Sequence, residues 1–147
     1  MELREDQLAR YSRHIALKEV GVAGQLELLQ AKVLVVGAGG LGSPVAYYLA
    51  AAGIGQIGIV DNDVVDLSNL NRQVLYGQTD IGHVKVNQAK KRLEAINPDV
   101  TVIPYSERFN INNAEVICQG YDAVIDCLDN FATRFVLNDA CLKFQIP

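Results

Sequence analysis

The run Gly37-Ala38-Gly39-Gly40-Leu41-Gly42 is followed at intervals by Asp61, Asp63, Arg72, Lys85 and Asp129. Glycine lets a backbone turn sharply and lie close to a bound phosphate. The N–H groups that open a helix, with its dipole behind them, suit an anion. Gly37, Gly39 and Gly42 fit the glycine-x-glycine-x-x-glycine dinucleotide fingerprint. By itself that pattern also fits a plain tight turn from strand to helix. Asp61 lies nineteen residues beyond Gly42, at the end of an apolar run. An acid there suits the hydroxyls of a ribose, or the capping of a turn.

The remaining charges favour one class of nucleotide. A nicotinamide dinucleotide needs only the glycine turn and Asp61. Arg72 and Lys85, with Asp63 and Asp129 as spare carboxylates, fit a nucleoside triphosphate with Mg²⁺. Cations stabilise charge on phosphoryl oxygens, and magnesium is typically held by one or two carboxylates plus the phosphates. There is no Walker pattern. Lys85 sits where a helix dipole opposes it, so it is either an ordinary exposed lysine or the neighbour of a phosphate. Asp129 suits a metal or a helix cap.

These residues need elements to carry them. Residues up to Gln30 read as two helices. The first is capped by Asp6, with Leu8, Tyr11 and Ile15 at helical spacing. The second runs from Val22 to Gln30, with Leu26 and Leu29 inward. Arg10-Tyr11-Ser12-Arg13-His14 reads as a solvated helix face. Lys32–Val36 is a strand buried on both faces. A helix follows, with Leu41, Val45, Tyr48, Leu49 and Ala52 on one side, Pro44 in its first turn, and Gly53 and Gly55 ending it. Gln56–Val60 is the second strand. Residues 62–82 form a connection too long for an ordinary turn, read as an ordered active-site loop. Val84–Ile96 is a helix with Val86, Ala89, Leu93 and Ile96 inward. Strands at 100–105 and 123–127 flank a weak helix within 110–119. Asp129 or Asn130 caps a last helix, Phe131–Phe144, with Val136, Ala140 and Phe144 inward. Gln145-Ile146-Pro147 resembles the start of another strand. Right-handed crossovers then give an α/β, Rossmann-like doubly wound, mainly parallel sheet of order 3-2-1-4. In such a sheet, ligands bind at the strand C-terminal ends.

Composition narrows the setting. The 147 residues fit a single domain, and half of them are apolar. The net charge of −4 argues against nucleic acid as the main partner. Cys118, Cys127 and Cys141 form no C-x-x-C pair and read as buried, inert thiols in a reducing, cytoplasmic setting. No stretch is long and apolar enough to span a membrane. The charged N-terminus does not resemble a signal peptide.

The glycine run resembles that of the ubiquitin-activating-enzyme-like adenylyltransferases of the ThiF/MoeB/HesA type. So does Asp61-x-Asp63-x-Val65-x-x-Ser68-Asn69-Leu70-x-Arg72-Gln73. Lys85 stands where that family places a phosphate-binding lysine. Asp126-Cys127-Leu128-Asp129-Asn130, followed by Thr133, Arg134 and Asn138, resembles its strand-end magnesium motif, and Arg10 to His14 its N-terminal motif. The resemblance implies a single ATP-binding adenylation domain over 1–147. It implies adenylation of the C-terminal glycine of a ubiquitin-like sulfur-carrier protein, of ThiS or MoaD type with a Gly-Gly end. Gly37, Gly39, Gly40, Leu41, Gly42, Asp61, Asp63, Asn69, Arg72, Gln73, Lys85, Leu128 and Asn130 would hold ATP. Asp129 would hold Mg²⁺, and Arg13 would reach the partner subunit's site in a homodimer. Arg13, Arg72, Lys85 and Asp129 would carry the catalysis, with no general base and no role for His14 or His83. Relatives of this type run on for roughly another hundred residues, a domain's worth. That part carries a zinc site of C-x-x-C pairs and a loop that clamps the carrier. No counterpart of either is found in this sequence. A nicotinamide-dependent oxidoreductase and a non-catalytic binding or dimerisation module are the rival expectations.

Overall fold

The β-branched runs at 32–36 and 56–60 lie side by side at the centre of the protein because neither could face water. The structure, a computed structural model, describes residues 2–147. The strands are β1 (Lys32–Val36), β2 (Gln56–Val60), β3 (Thr101–Tyr105) and β4 (Ala123–Asp126). They form one sheet of order β3-β2-β1-β4, parallel throughout. Pro104 is tolerated because β3 is an edge strand. The register aligns the strand ends: Val36 pairs with Val60 and Asp126, and Val60 with Tyr105. Everything that follows a strand therefore emerges along one edge of the sheet. Val124 N–H donates to the Pro147 carbonyl at 2.9 Å, so the last residues run beside β4.

The helices are α1 (Glu5–Arg10), α2 (Ser12–Ile15), α3 (Gly21–Gln30), α4 (Gly42–Ala52), α5 (Lys85–Ile96), α6 (Ala114–Cys118) and α7 (Phe131–Phe144). One core face packs α4 and α5 on the sheet through Ala46, Ala50, Val86, Ala89 and Leu93, against Val35, Ile57 and Ile59. The other packs α6 and α7 through Ile117, Leu137 and Ala140, against Leu34 and Val36. The fold is the doubly wound one expected, with local corrections in the N-terminal helices, α4 and α7.

The first predicted helix is two short pieces broken at Tyr11, whose backbone leaves the helical region. Tyr11 is buried. Its hydroxyl accepts from Asn97 Nδ2 at 2.8 Å and donates to Asp99 Oδ2 at 3.2 Å. Asp6 is not the cap: it lies inside the first turn and accepts from the Arg4 guanidinium. In α3, Leu26 and Leu29 are half-buried, and the buried residue is Gln25, bonded to His14 and to the Ala52 carbonyl.

The inward face of α4 also differs. Gly42, Ser43, Ala46 and Ala50 are buried, while Leu41 and Tyr48 are 63% and 73% exposed. Small side chains let α4 lie close on the sheet, which turns its larger residues outward. In α7, Leu137 and Ala140 are buried, and Val136 and Phe144 are half-buried. Gly53 ends α4 in the left-handed region, with φ 85°, and a Cβ there would meet the Tyr11 ring.

Burial raises the Cys118 thiol pKa to about 12 and that of Cys127 to about 11, so both remain protonated thiols at neutral pH. Among the described residues, no helix is long and apolar enough to cross a membrane.

Candidate functional site

A cleft of about 770 Å³ runs along the C-terminal edge of the sheet. The turn after β1 supplies Gly37, Gly39, Gly40 and Leu41, and the end of β2 supplies Asp61 and Asp63. The long loop brings Asn69, Arg72 and Gln73, α5 brings Lys85, and the β4–α7 turn brings Leu128, Asp129 and Asn130. Of the residues expected to hold ATP or carry the catalysis, Gly42 and Arg13 do not line it. Gly42 is buried beneath the turn as the first residue of α4, and a Cβ there would run into the Gly37 carbonyl oxygen. Arg13 is exposed on α2, between Tyr11 and His14.

The glycine turn is fastened to β2. Asp61 Oδ2 accepts from Ala38 N–H at 2.8 Å and its Oδ1 from Asp63 N–H at 2.8 Å. Each oxygen keeps lone pairs for a further donor, as a ribose hydroxyl would be. Gly37 has φ 102°, a conformation glycine adopts without strain.

The loop at 62–82 is ordered by its own chemistry. Asp66 Oδ1 accepts from Ser68 N–H at 2.8 Å and Asn69 Oδ1 from Asp66 N–H at 3.1 Å, closing a short 3₁₀ turn at Leu67–Asn69. The hydrogen bonds from Ser68 hold the Asp66 carboxyl below its ordinary pKa. Asn69 O then accepts from the N–H groups of Arg72 and Gln73. Val65, Leu75 and Tyr76 pack into the core. Arg72 lays its stem against Gly40, and its guanidinium donates to Ser68 O and Asn71 Oδ1. Gln73 is buried, and its Oε1 has no partner among the described residues.

Lys85 is not an exposed lysine. It is the first residue of α5, and its side chain is 5% exposed. Nζ donates to Asp63 Oδ2 at 2.9 Å. Asp63 is therefore not spare: a buried ammonium needs a counter-charge, and Asp63 supplies it from the wall of the cleft. Asn130 takes the cap of α7, its Oδ1 accepting from Thr133 N–H at 3.0 Å. That leaves Asp129 exposed on the cleft, with no hydrogen-bond or ion-pair partner among the described residues. Asp126 braces the same turn, accepting from Leu128 N–H and from Arg134 Nε at 2.7 Å.

Glu107, Arg108 and Phe109, after β3, complete the wall with Thr133. Sequence reasoning did not single out this β3-end segment as part of the site. Its signal was available: Ser106-Glu107-Arg108 is a polar run at a strand end, on the edge where the other strand ends meet.

Residues 11–147 match the family model described as the ThiF family. The chain belongs to the ThiF family. Among curated relatives, it is 48% identical over 146 residues to the adenylyltransferase and sulfurtransferase MOCS3 of Anopheles gambiae, covering 99% of this chain and 33% of that protein. It is 48% identical over 147 residues to the SAMP-activating enzyme E1 of Haloferax volcanii, covering all of this chain and 54% of that one. This ThiF-family chain thus spans about a third to about half the length of these relatives. Among solved structures, it superposes with a TM-score of 0.92 on the E. coli tRNA N6-threonylcarbamoyladenosine dehydratase TcdA in complex with ATP. That match has 29% identity and covers 100% of this chain and 60% of that one.

Proposed function

We propose that this ThiF-family domain binds ATP with Mg²⁺ and adenylates the C-terminal glycine carboxylate of a small ubiquitin-like sulfur carrier of ThiS or MoaD type. The observation that carries the reading is the convergence of Arg72, Lys85 and the unpartnered Asp129 on the cleft beside the glycine turn and Asp61. A nicotinamide cofactor leaves the first three without employment. The names of the relatives, an adenylyltransferase and a SAMP-activating E1, support the same reading. So does the ATP complex of TcdA.

In this reading Asp61 takes the ribose, and Asn69, Arg72, Gln73 and Lys85 take the triphosphate beside Gly37, Gly39, Gly40 and Leu41, with Leu128 and Asn130 on the far wall. Asp61, Asp63, Glu107 and Asp129 face Arg72, Lys85 and Arg108 across the cleft. The charged side chains alone sum to one negative charge, so a triphosphate is better received with a cation. Asp129 fits that cation, since it offers free carboxylate oxygens and magnesium takes oxygen ligands. Bound Mg²⁺ would supply charge neutralisation on the phosphates.

The carrier carboxylate forms a bond to the α-phosphorus while the bond to the bridging oxygen of pyrophosphate breaks. The electron pair leaves with pyrophosphate, and no proton moves. Positioning and charge neutralisation carry the rate. Arg13 reaches a second subunit's cleft in a homodimer, where a guanidinium that forks onto phosphate oxygens is suited to the task. The carrier would serve thiamin or molybdopterin formation or a related sulfur transfer.

Exchange of labelled pyrophosphate into ATP tests this. Exchange that appears with a Gly-Gly-ending carrier and disappears when those two glycines are removed is expected. Exchange that is indifferent to the carrier would contradict it.

A further inference from the structure

Tyr76 packs the long loop into the core, but its hydroxyl has a separate partner. It is buried, and Oη donates to the Ala38 carbonyl at 2.9 Å. Ser43 Oγ donates to the same oxygen at 3.3 Å. Ala38 itself is fully buried and lies inside the glycine turn.

The geometry of one peptide unit gives this contact its meaning. In a planar trans peptide the C=O and N–H point in opposite directions. With the Ala38 oxygen turned into the core onto Tyr76, the Gly39 N–H is turned out toward the cleft that Gly39 lines. Among the described residues, the N–H groups of Gly39, Gly40 and Leu41 take no protein acceptor. They are donors waiting for an anion. Glycine at 39 sets little restraint on the rotation of this peptide, so its orientation has to be held from outside. Tyr76 and Ser43 are the groups that hold it.

We infer that Tyr76 is a positioning residue for phosphate binding: its hydroxyl, assisted by Ser43, locks the Ala38–Gly39 peptide so that the Gly39 N–H presents to a phosphoryl oxygen. The same bond ties the loop bearing Arg72 and Gln73 to the glycine turn, so both halves of the phosphate seat are held together. Burial, with the negative charge of Asp61, Asp80 and Asp63 added, raises the Tyr76 pKa well above its ordinary value. The hydroxyl therefore remains a donor throughout the usual pH range.

This inference rests on the reading of the cleft as an ATP site. Tyr76→Phe keeps the ring in the core and removes only the hydroxyl. Binding of Mg-ATP by calorimetry, and of adenosine by NMR titration at millimolar concentrations, separates phosphate positioning from general disruption. The expected result is about a fivefold loss of ATP affinity, the size of one hydrogen bond, with adenosine affinity unchanged. Ser43→Ala, the second variant, should show a smaller loss with the same selectivity for the phosphates. Equal losses for ATP and adenosine, or no loss of either, overturn the inference. If wild type binds no Mg-ATP, the ATP reading itself falls. If wild type and Tyr76→Phe bind it equally, only the role of Tyr76 falls.

Discussion

Lys85 Nζ lies 2.9 Å from Asp63 Oδ2, joining a side chain only 5% exposed to one that is 61% exposed. The ammonium is buried at the start of a helix whose dipole opposes it. Asp63 holds it in the free protein, and a phosphate is the natural second partner. Asp63→Ala should therefore lower the melting temperature of the free chain by about 4 °C, since ~1 kcal/mol is the upper end for a pair with one exposed member. Mg-ATP should stabilise this variant by more degrees than it stabilises wild type, because phosphate takes over the missing counter-charge. Thermal melts with and without Mg-ATP check both.

Arg72→Ala should weaken Mg-ATP binding by roughly tenfold or more, the scale of a charge-assisted contact. Arg72→Lys should restore little of it, because Nη1 alone donates to both Ser68 O and Asn71 Oδ1, which leaves Nη2 and Nε for a phosphate, a division of labour a single ammonium lacks. Calorimetry on the three proteins decides this, and unchanged affinity in Arg72→Ala would remove Arg72 from the phosphate site.

Glycines of the turn should separate by role. A Cβ at Gly42 meets the Gly37 backbone, whereas a Cβ at Gly40 meets only the flexible stem of Arg72 at 3.6 Å. Gly42→Ala should cost on the order of 3 kcal/mol or more, as overpacking against backbone does. Gly40→Ala should fold normally and lose ATP affinity instead. Urea unfolding and nucleotide titration of both variants test the contrast.

The acid limb of the stability curve should depend on Asp99. Burial pushes its carboxyl pKa upward, but hydrogen bonds from Arg4, Gln7 and Tyr11 outweigh that and leave it below the ordinary value. A carboxyl with a lowered folded pKa contributes stability above its unfolded pKa of about 4, and that stability is lost as pH falls through the folded value. Asp99→Asn should flatten the fall in melting temperature below about pH 4. Melts from pH 6 down to pH 3 show whether it does.

The strand order was legible because β1 and β2 are continuous apolar runs and the crossovers have one hand. The inward face of α4 was not. Periodicity weights large side chains such as Leu41 and Tyr48, whereas a helix lying close on a sheet buries Ala46 and Ala50. Nor was the break at Tyr11, which follows from Asn97 and Asp99, more than eighty residues away. Much of the cleft lining could be singled out because the glycine turn, Asp61 and Asp129 all mark strand ends. Residues 107–109 after β3 stood out less, since only a polar run, and no glycine or isolated acid, marks that end. What sequence could not supply was pairing: which carboxylate takes Lys85, whether Asp129 or Asn130 caps α7, and that the Tyr76 hydroxyl reaches Ala38. Those depend on side-chain directions that only the folded chain fixes.

On the proposed function, the charges around the glycine turn serve a triphosphate and its metal. Calorimetric titration of the 147-residue chain with ATP, with and without Mg²⁺, and with NAD tests it most directly. Saturable one-to-one binding of ATP that strengthens with Mg²⁺, with no binding of NAD, is expected. Saturable binding of NAD with none of ATP would contradict it.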